Sequence, residues 1–143
     1  AYKRDGQLDK AVIFHEALLA KNPNMPIILN NAANLNYLVG QETKALDYAR
    51  KANELMPDNP NILDTLAWIE TRRNKPEKAL PLLRKALVLR FSDPEIKYHL
   101  AITLDQLDRR GEAKKLLIEA LSSGTDFPDK SAAQDILKQW QRK

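Results

Sequence analysis

The sequence predicts an all-α fold that is built from repeated helix-turn-helix units. Prolines recur at a fixed step of 34 residues, at Pro26, Pro60, Pro94 and Pro128. Alanines keep the same step in two rows, which are Ala45, Ala79 and Ala113 and then Ala52, Ala86 and Ala120. Between the prolines, apolar residues recur at helical spacing. A fixed period of this length is the signature of a repeat architecture, in which each unit buries its apolar face by stacking on its neighbours.

Each unit is expected to contain two amphipathic helices joined by a short polar turn. In the segment 60–93, apolar residues follow helical spacing through 62–69 and again through 79–87. The alanine rows fall inside these helices, where a small side chain lets two helix backbones approach closely. The turns consist of residues that favour turns over helices, in Gly40-Gln-Glu-Thr, Asn74-Lys-Pro-Glu and Asp108-Arg-Arg-Gly.

This pattern resembles the tetratricopeptide (TPR) repeat, a helix-turn-helix unit of 34 residues. If Pro26, Pro60 and Pro94 are position 1, small residues occupy the family's position 8 at Ala33, Ala67 and Ala101. The alanine rows then fill positions 20 and 27. Position 4 departs from the family's aromatic residue, with Leu29, Leu63 and Lys97. The resemblance implies a right-handed α-solenoid of TPR helix-turn-helix repeats. A C-terminal capping helix is predicted by an apolar stripe opposite a polar face, at Ala132, Ala133, Ile136, Leu137 and Trp140.

We expect a single TPR domain over residues 1–143. Its parts are a partial repeat (1–25), three full repeats (26–59, 60–93 and 94–127) and a capping helix (128–143). Because position 1 of the first unit would precede Ala1, the chain is expected to be the C-terminal piece of a longer array. The missing neighbour predicts exposed apolar residues at Val12, Leu18 and Leu19, and self-association through this end.

No feature of the sequence predicts an enzyme, a cofactor or a metal ion. The two histidines, His15 and His99, lie in different repeats, and neither has a histidine or carboxylate four residues after it. Packing roles are therefore favoured over metal binding for both. The glycines stand alone rather than in a phosphate-binding loop, and the chain has no cysteine. No catalytic, cofactor-binding or metal-binding residue is expected.

The charge pattern favours a protein ligand over a nucleic acid or a membrane. The net charge is +4, and most of the basic clusters are interleaved with acidic residues. This arrangement is typical of a solvated surface rather than of a nucleic-acid-binding stripe. No apolar run reaches the roughly 18 residues that a bilayer span requires, so direct membrane insertion is not expected.

A partner is expected in the concave groove that stacked helical repeats create. At 100° per residue, positions 2, 5, 9 and 13 of each first helix face away from the second helix. With their neighbours at position 12, these positions predict a partner-binding set: Asn30, Asn34, Tyr37, Leu38, Asp64, Trp68, Arg72, Tyr98, Ile102 and Asp105. Aromatic anchors dominate interface energies, which favours a bound peptide or protein. Alternatively, neighbouring first helices bury Trp68 and Ile102 between them, and the chain is a structural spacer with no ligand of its own.

Three segments resemble the C-terminal repeats of bacterial TPR proteins, including those found with exosortase and exopolysaccharide-export systems. They are Asn61-Ile-Leu-Asp-Thr-Leu-Ala-Trp-Ile, Asp93-Pro-Glu-Ile-Lys-Tyr-His-Leu-Ala and Phe127-Pro-Asp-Lys-Ser-Ala-Ala. The resemblance implies a bacterial interaction scaffold, located in the periplasm or cell envelope rather than the cytoplasm.

Overall fold

The computed structural model describes residues 6–142, so the ends of the predicted partial repeat and capping helix, 1–5 and Lys143, lie outside the described residues. The elements are α1 (Gly6–Lys21), α2 (Pro26–Leu38), α3 (Glu42–Leu55), α4 (Pro60–Arg72), α5 (Pro76–Leu89), α6 (Pro94–Gln106), α7 (Arg110–Ser122) and α8 (Lys130–Gln141). Residues 6–142 contain no strand, which confirms the all-α prediction. Among the helices of residues 6–142, none combines the length and the apolar content that a bilayer span requires.

The regularly spaced prolines start helices. Pro26, Pro60 and Pro94 are the first residues of α2, α4 and α6. Proline suits this position because the first helical residue needs no intrahelical partner for its N–H group, and the ring already holds a helical φ. The fourth proline, Pro128, precedes α8 by two residues. The capping helix therefore begins slightly later than the period predicts.

The turns within the helical hairpins repeat one backbone conformation. Gly40, Asn74 and Asp108 occupy equivalent positions and have φ angles of 86°, 63° and 60°. After each of them, an N–H group donates to a carbonyl five residues earlier: Gln41 to Asn36 (2.8 Å), Lys75 to Glu70 (2.9 Å) and Arg109 to Leu104 (2.9 Å). This left-handed closure is a common way to satisfy the last carbonyls of a helix. Glycine, asparagine and aspartate are the residues that adopt it most readily.

The chain divides into two compact units, residues 1–69 and 70–143, with the boundary inside α4. In the first unit, α2 packs on both α1 and α3. A core cluster joins the four helices of this unit through Leu19, Leu29, Ala32, Ala52 and Ile62. Ile28 and Tyr48 pack against the cluster.

The exposed apolar residues of α1 differ from those that the sequence predicts. Leu19 is only 6% exposed, because it packs with Leu29 of α2 and Ala52 of α3 inside the same unit. Val12 and Leu18 are half-buried. The large apolar side chains that face solvent are instead Ile13 and Phe14, which are 69% and 60% exposed.

In the second unit, α6 packs on α5 and α7, and α8 packs on α7. The capping helix inserts Ala133 and Trp140 into the interior. The guanidinium group of Arg110 lies over the Trp140 ring, 5.2 Å from its centroid, which adds a cation–π contact between α7 and the cap.

Both alanine rows are inaccessible to solvent, as close helix packing requires: Ala45, Ala52, Ala79, Ala86, Ala113 and Ala120.

Candidate partner-binding groove

The two faces of α2 differ as helix geometry predicts. Positions 4, 7, 8 and 11 are buried, at Leu29, Ala32, Ala33 and Asn36. On the other side Asn34 is exposed, Leu38 is 55% exposed, and Tyr37 is half-buried. The predicted partner-binding positions in the C-terminal half of α2 are therefore accessible.

Asn30 lies one turn before Asn34 and is 9% exposed. Its buried side-chain oxygen, Oδ1, accepts no hydrogen bond from any residue between 6 and 142. A buried acceptor without a partner costs free energy, and it becomes satisfied when a donor binds beside it. Asn30 therefore holds a solvent-inaccessible acceptor, which a change of its side-chain conformation would present to a bound donor.

Asn34 connects α2 with α4. Its Nδ2 donates to Oγ1 of Thr65 at 3.4 Å, and that hydroxyl donates to the backbone oxygen of Asn61 at 3.0 Å. On α4, Asp64 and Trp68 lie one turn apart and are both half-buried. Trp68 is therefore neither fully exposed nor fully enclosed, and part of its indole surface remains accessible. In the first unit, the structure brings the α2 and α4 members of the predicted set onto adjoining helices.

In the second unit, Tyr98 is more buried than we expect for a residue that lines an accessible groove. It is 5% exposed, because Phe127 from the segment ahead of α8 lies against it, with ring centroids 6.3 Å apart. Burial, together with the charge of Asp129, raises the pKa of the Tyr98 phenol. Its role as a partner contact stays a prediction, and only a small part of its surface is accessible to a ligand.

The remaining predicted partner-binding residues of the second unit differ in whether they keep surface that a partner can contact. Asp105 Oδ1 accepts a hydrogen bond from Arg110 Nε at 2.8 Å, the same guanidinium group that lies over Trp140. Ile102 is half-buried, and Arg72 is exposed at the end of α4. Asp105 is thus engaged within the fold, whereas Ile102 and Arg72 keep accessible surface.

One side-chain cluster lies outside the predicted set. Nε2 of His99 is 3.7 Å from Oδ2 of Asp129 and 3.9 Å from Oε1 of Glu95. The imidazole of His99 lowers the pKa of the Asp129 carboxyl against the opposing effect of burial. The sequence signal was present but lay on the other side of the histidine, since Glu95 precedes His99 by four residues. Glu95 and Asp129 each follow a proline of the 34-residue series, so the period itself relates them.

Comparisons with known proteins bear on the fold. No protein-family model matches the sequence, and no curated protein matches it. A crystal structure of MamA shares 16% identity, covering 99% of this chain and 86% of that one with a TM-score of 0.76. MamA from residue 41 to the end, from Desulfovibrio magneticus RS-1, shares 14% identity over 96% of this chain and 89% of that one, with a TM-score of 0.74. The first TPR domain of human RPAP3, solved by NMR, shares 22% identity over 85% of this chain and 93% of that one, with a TM-score of 0.72.

These likenesses establish the fold class. The chain is an all-α solenoid of TPR-type helix-turn-helix repeats that ends in a capping helix. At sequence identities of 14–22%, these similarities establish the fold and do not establish a shared function. A TPR-type fold is compatible with a protein-interaction scaffold, because stacked helical hairpins present extended surfaces for partners.

Proposed function

We propose that this chain is a protein-interaction scaffold that binds a peptide or an extended segment of a partner protein, and that it performs no catalysis. Within the first unit, the binding surface is the face formed by Asn30, Asn34, Tyr37 and Leu38 of α2 with Asp64 and Trp68 of α4. The observation that carries the proposal is the unsatisfied side-chain oxygen of Asn30, which lies one turn from the exposed Asn34. A peptide backbone supplies N–H donors for such an acceptor once the Asn30 side chain turns toward the ligand.

The same face offers apolar contacts beside the amides. Leu38 is 55% exposed, and Trp68 is half-buried on the adjoining helix. Tryptophan in a partly enclosed setting is a frequent hot spot, since it buries a large area at low conformational cost. We infer that the ligand's apolar side chains contact Leu38 and Trp68 while its backbone contacts the asparagines.

The predicted contacts of the second unit are assigned secondary roles. Ile102 and Arg72 are proposed to contact the partner, because both keep accessible surface. Tyr98 and Asp105 are proposed to position the accessible residues of their own unit, since Phe127 and Arg110 already engage them.

Selection from a displayed library of random peptides tests this function. We expect peptides that bind the wild-type chain, and we expect Trp68→Ala to weaken them by about thirtyfold or more, the effect of losing a hot spot of about 2 kcal/mol. Asn34→Ala combined with Leu38→Ala, both at exposed positions, should weaken binding without unfolding the chain. The measurement is the dissociation constant of each selected peptide by isothermal titration calorimetry.

Val88→Ala is the matched control, because Val88 is 80% exposed on α5 and lies outside the proposed surface. It should leave the affinity unchanged. Absence of any selected peptide would favour the alternative function, a structural spacer with no ligand of its own. Peptides that bind all variants equally would contradict the proposed surface.

We propose a protein rather than a nucleic acid as the ligand. Many of the basic residues take part in ion pairs, including Arg73 with Glu70 (2.8 Å), Arg84 with Glu112 (3.9 Å) and Lys97 with Glu119 (4.0 Å). Paired charges of this kind attract phosphates weakly. Salt-sensitive retention on a DNA or heparin column would contradict this choice.

We also propose self-association through α1 as a second mode of interaction. Ile13 and Phe14 form an exposed apolar pair there. Phe14 occupies the same repeat position as Tyr48, whose ring packs against the core of its unit. A second copy that covers this pair would remove its apolar surface from water.

For the biological setting, we propose a bacterial envelope or exopolysaccharide-assembly system, with the protein in the periplasm or envelope rather than the cytoplasm. The support is the resemblance of segments 61–69, 93–101 and 127–133 to TPR proteins of such systems. Fractionation of the source cells with an antibody against residues 6–142 tests this proposal. Release with the periplasmic or membrane fraction is expected, and recovery in the cytoplasm alone would contradict it.

A further inference from the structure

The cluster of Glu95, His99 and Asp129 has the composition of a metal site. One imidazole nitrogen and two carboxylate oxygens lie within 4.8 Å of one another. Imidazole and carboxylate together suit divalent first-row metals such as Zn²⁺, Mn²⁺ and Co²⁺. We propose that these three side chains form a binding site for a divalent transition-metal ion, with Zn²⁺ as its representative occupant, between α6 and the segment that begins α8.

The distances within the cluster are close to those of a metal site. Tetrahedral bonds of 2.0–2.1 Å place neighbouring ligand atoms about 3.4 Å apart. The His99–Asp129 and His99–Glu95 separations are 3.7 Å and 3.9 Å, longer than an ordinary hydrogen bond. Each of these two separations exceeds the tetrahedral value by a few tenths of an ångström, and adjustment of the two carboxylate side chains would complete the site.

Two of the ligands are already held in position by α6. Glu95 and His99 are four residues apart and therefore lie on one helix face, one turn from each other. Asp93 fixes the start of this helix, because its Oδ1 accepts from the N–H groups of Glu95 (2.9 Å) and Ile96 (3.3 Å). The hydroxyl of Thr103 donates to the backbone oxygen of His99 at 2.8 Å. Binding thus requires little reorganisation of α6.

The third ligand comes from the other side of the site. Asp129 is the residue immediately before α8, and its side chain makes no hydrogen bond that caps this helix. The His99 side chain is 6% exposed, whereas those of Glu95 and Asp129 are 31% and 40% exposed. An ion can therefore enter from the carboxylate side, and water can complete its coordination.

Binding at this position would join α6 to the beginning of the capping helix, so the ion would stabilise the docked cap. The charge of Arg72 acts on Asp129 and opposes a bound cation. We therefore expect Arg72→Gln to tighten metal binding.

Titration of the metal-free chain at pH 7 with Zn²⁺ and with Co²⁺ tests the site. We expect one Zn²⁺ per chain by calorimetry, a Zn²⁺-dependent rise in the thermal unfolding temperature, and visible ligand-field bands with Co²⁺. Asp129→Asn and His99→Gln should each lower the affinity by at least about tenfold, as loss of metal-site contacts does.

Asp126→Asn and His15→Gln are the matched controls and should leave binding unchanged. His15 is the other histidine of the chain and hydrogen-bonds through Nδ1 to the backbone oxygen of Ala11 at 2.8 Å. If His99→Gln does not fold, Asp129→Asn still tests the site, because Asp129 is more exposed and its substitution is less disruptive to the fold. Lack of Zn²⁺ binding, or binding that Asp129→Asn leaves intact, would overturn the proposal.

Discussion

At the residue scale, Tyr48 of α3 and Glu16 of α1 form a half-buried polar contact in the first unit. The Tyr48 hydroxyl donates to Glu16 Oε2, and Lys44 Nζ lies 3.1 Å from Glu16 Oε1. Burial together with the Glu16 carboxylate raises the pKa of Tyr48 to about 12. Burial also acts to raise the pKa of Glu16, but the contacts with Tyr48 and Lys44 outweigh it and lower that pKa.

The Tyr48 pKa predicts how stability depends on pH. Because the folded-state pKa is higher than the ordinary tyrosine value of 10.0, the folded chain retains a proton that the unfolded chain loses. This contribution to stability is complete below pH 10 and disappears as the pH rises through about 12. The difference in unfolding free energy between wild type and Tyr48→Phe should therefore be largest below pH 10 and shrink above it. Urea unfolding at a series of pH values measures this difference, and a constant difference would contradict the assignment.

Individual side chains also show where sequence reasoning stops. The period predicts that Asn34, Trp68 and Ile102 are equivalent positions, and Asn34 and Trp68 indeed lie on adjoining helices of the first unit. It cannot predict that Phe127 covers Tyr98, because that contact depends on the path of the segment between α7 and α8. The sequence does not predict the proximity of His99 to Asp129 for the same reason, because Asp129 belongs to that segment.

At the element scale, the hairpin turns account for much of the accuracy of the fold prediction. Their sequences differ, yet Gly40, Asn74 and Asp108 adopt one left-handed conformation. A residue with a β-carbon pays about 1–2 kcal/mol for that conformation, and asparagine and aspartate pay less than most. The helix boundaries follow from this turn and from the prolines, both of which are local signals. The segment ahead of α8 differs from the other junctions between repeats by a positive φ at Gly124 (75°), and here the boundary shifted by two residues.

Substitutions in the turns test this account. Asp108→Gly should raise the free energy of unfolding by about 0.5–1 kcal/mol, because it removes the left-handed strain. Gly40→Ala should lower it by about 1 kcal/mol through the backbone alone, since a β-carbon at Gly40 meets no atom within 4 Å. Urea unfolding of both variants gives these values. Equal stability of Gly40→Ala and wild type would contradict the turn geometry.

At the scale of the whole molecule, the exposed apolar residues of α1 bear on the proposed self-association. The exposed pair on α1 predicts weak self-association that Ile13→Glu with Phe14→Glu should abolish. Val88→Glu, at a residue that is 80% exposed on α5, is the control and should leave association unchanged. Sedimentation equilibrium over a range of protein concentrations measures the effect. If the wild-type chain is a monomer at every protein concentration tested, the proposed self-association is wrong.

The central claim is that the α2–α4 face of the first unit binds a peptide. Mapping the backbone and indole NMR signals during titration with a selected peptide tests it most directly. The chain has two tryptophans, so the indole signals of Trp68 and Trp140 distinguish the binding face from the cap. The account predicts shifts concentrated at Asn30, Asn34, Leu38 and Trp68, with Trp140 unchanged. Shifts confined to α5 or to the exposed face of α1, with Trp68 unaffected, would contradict it.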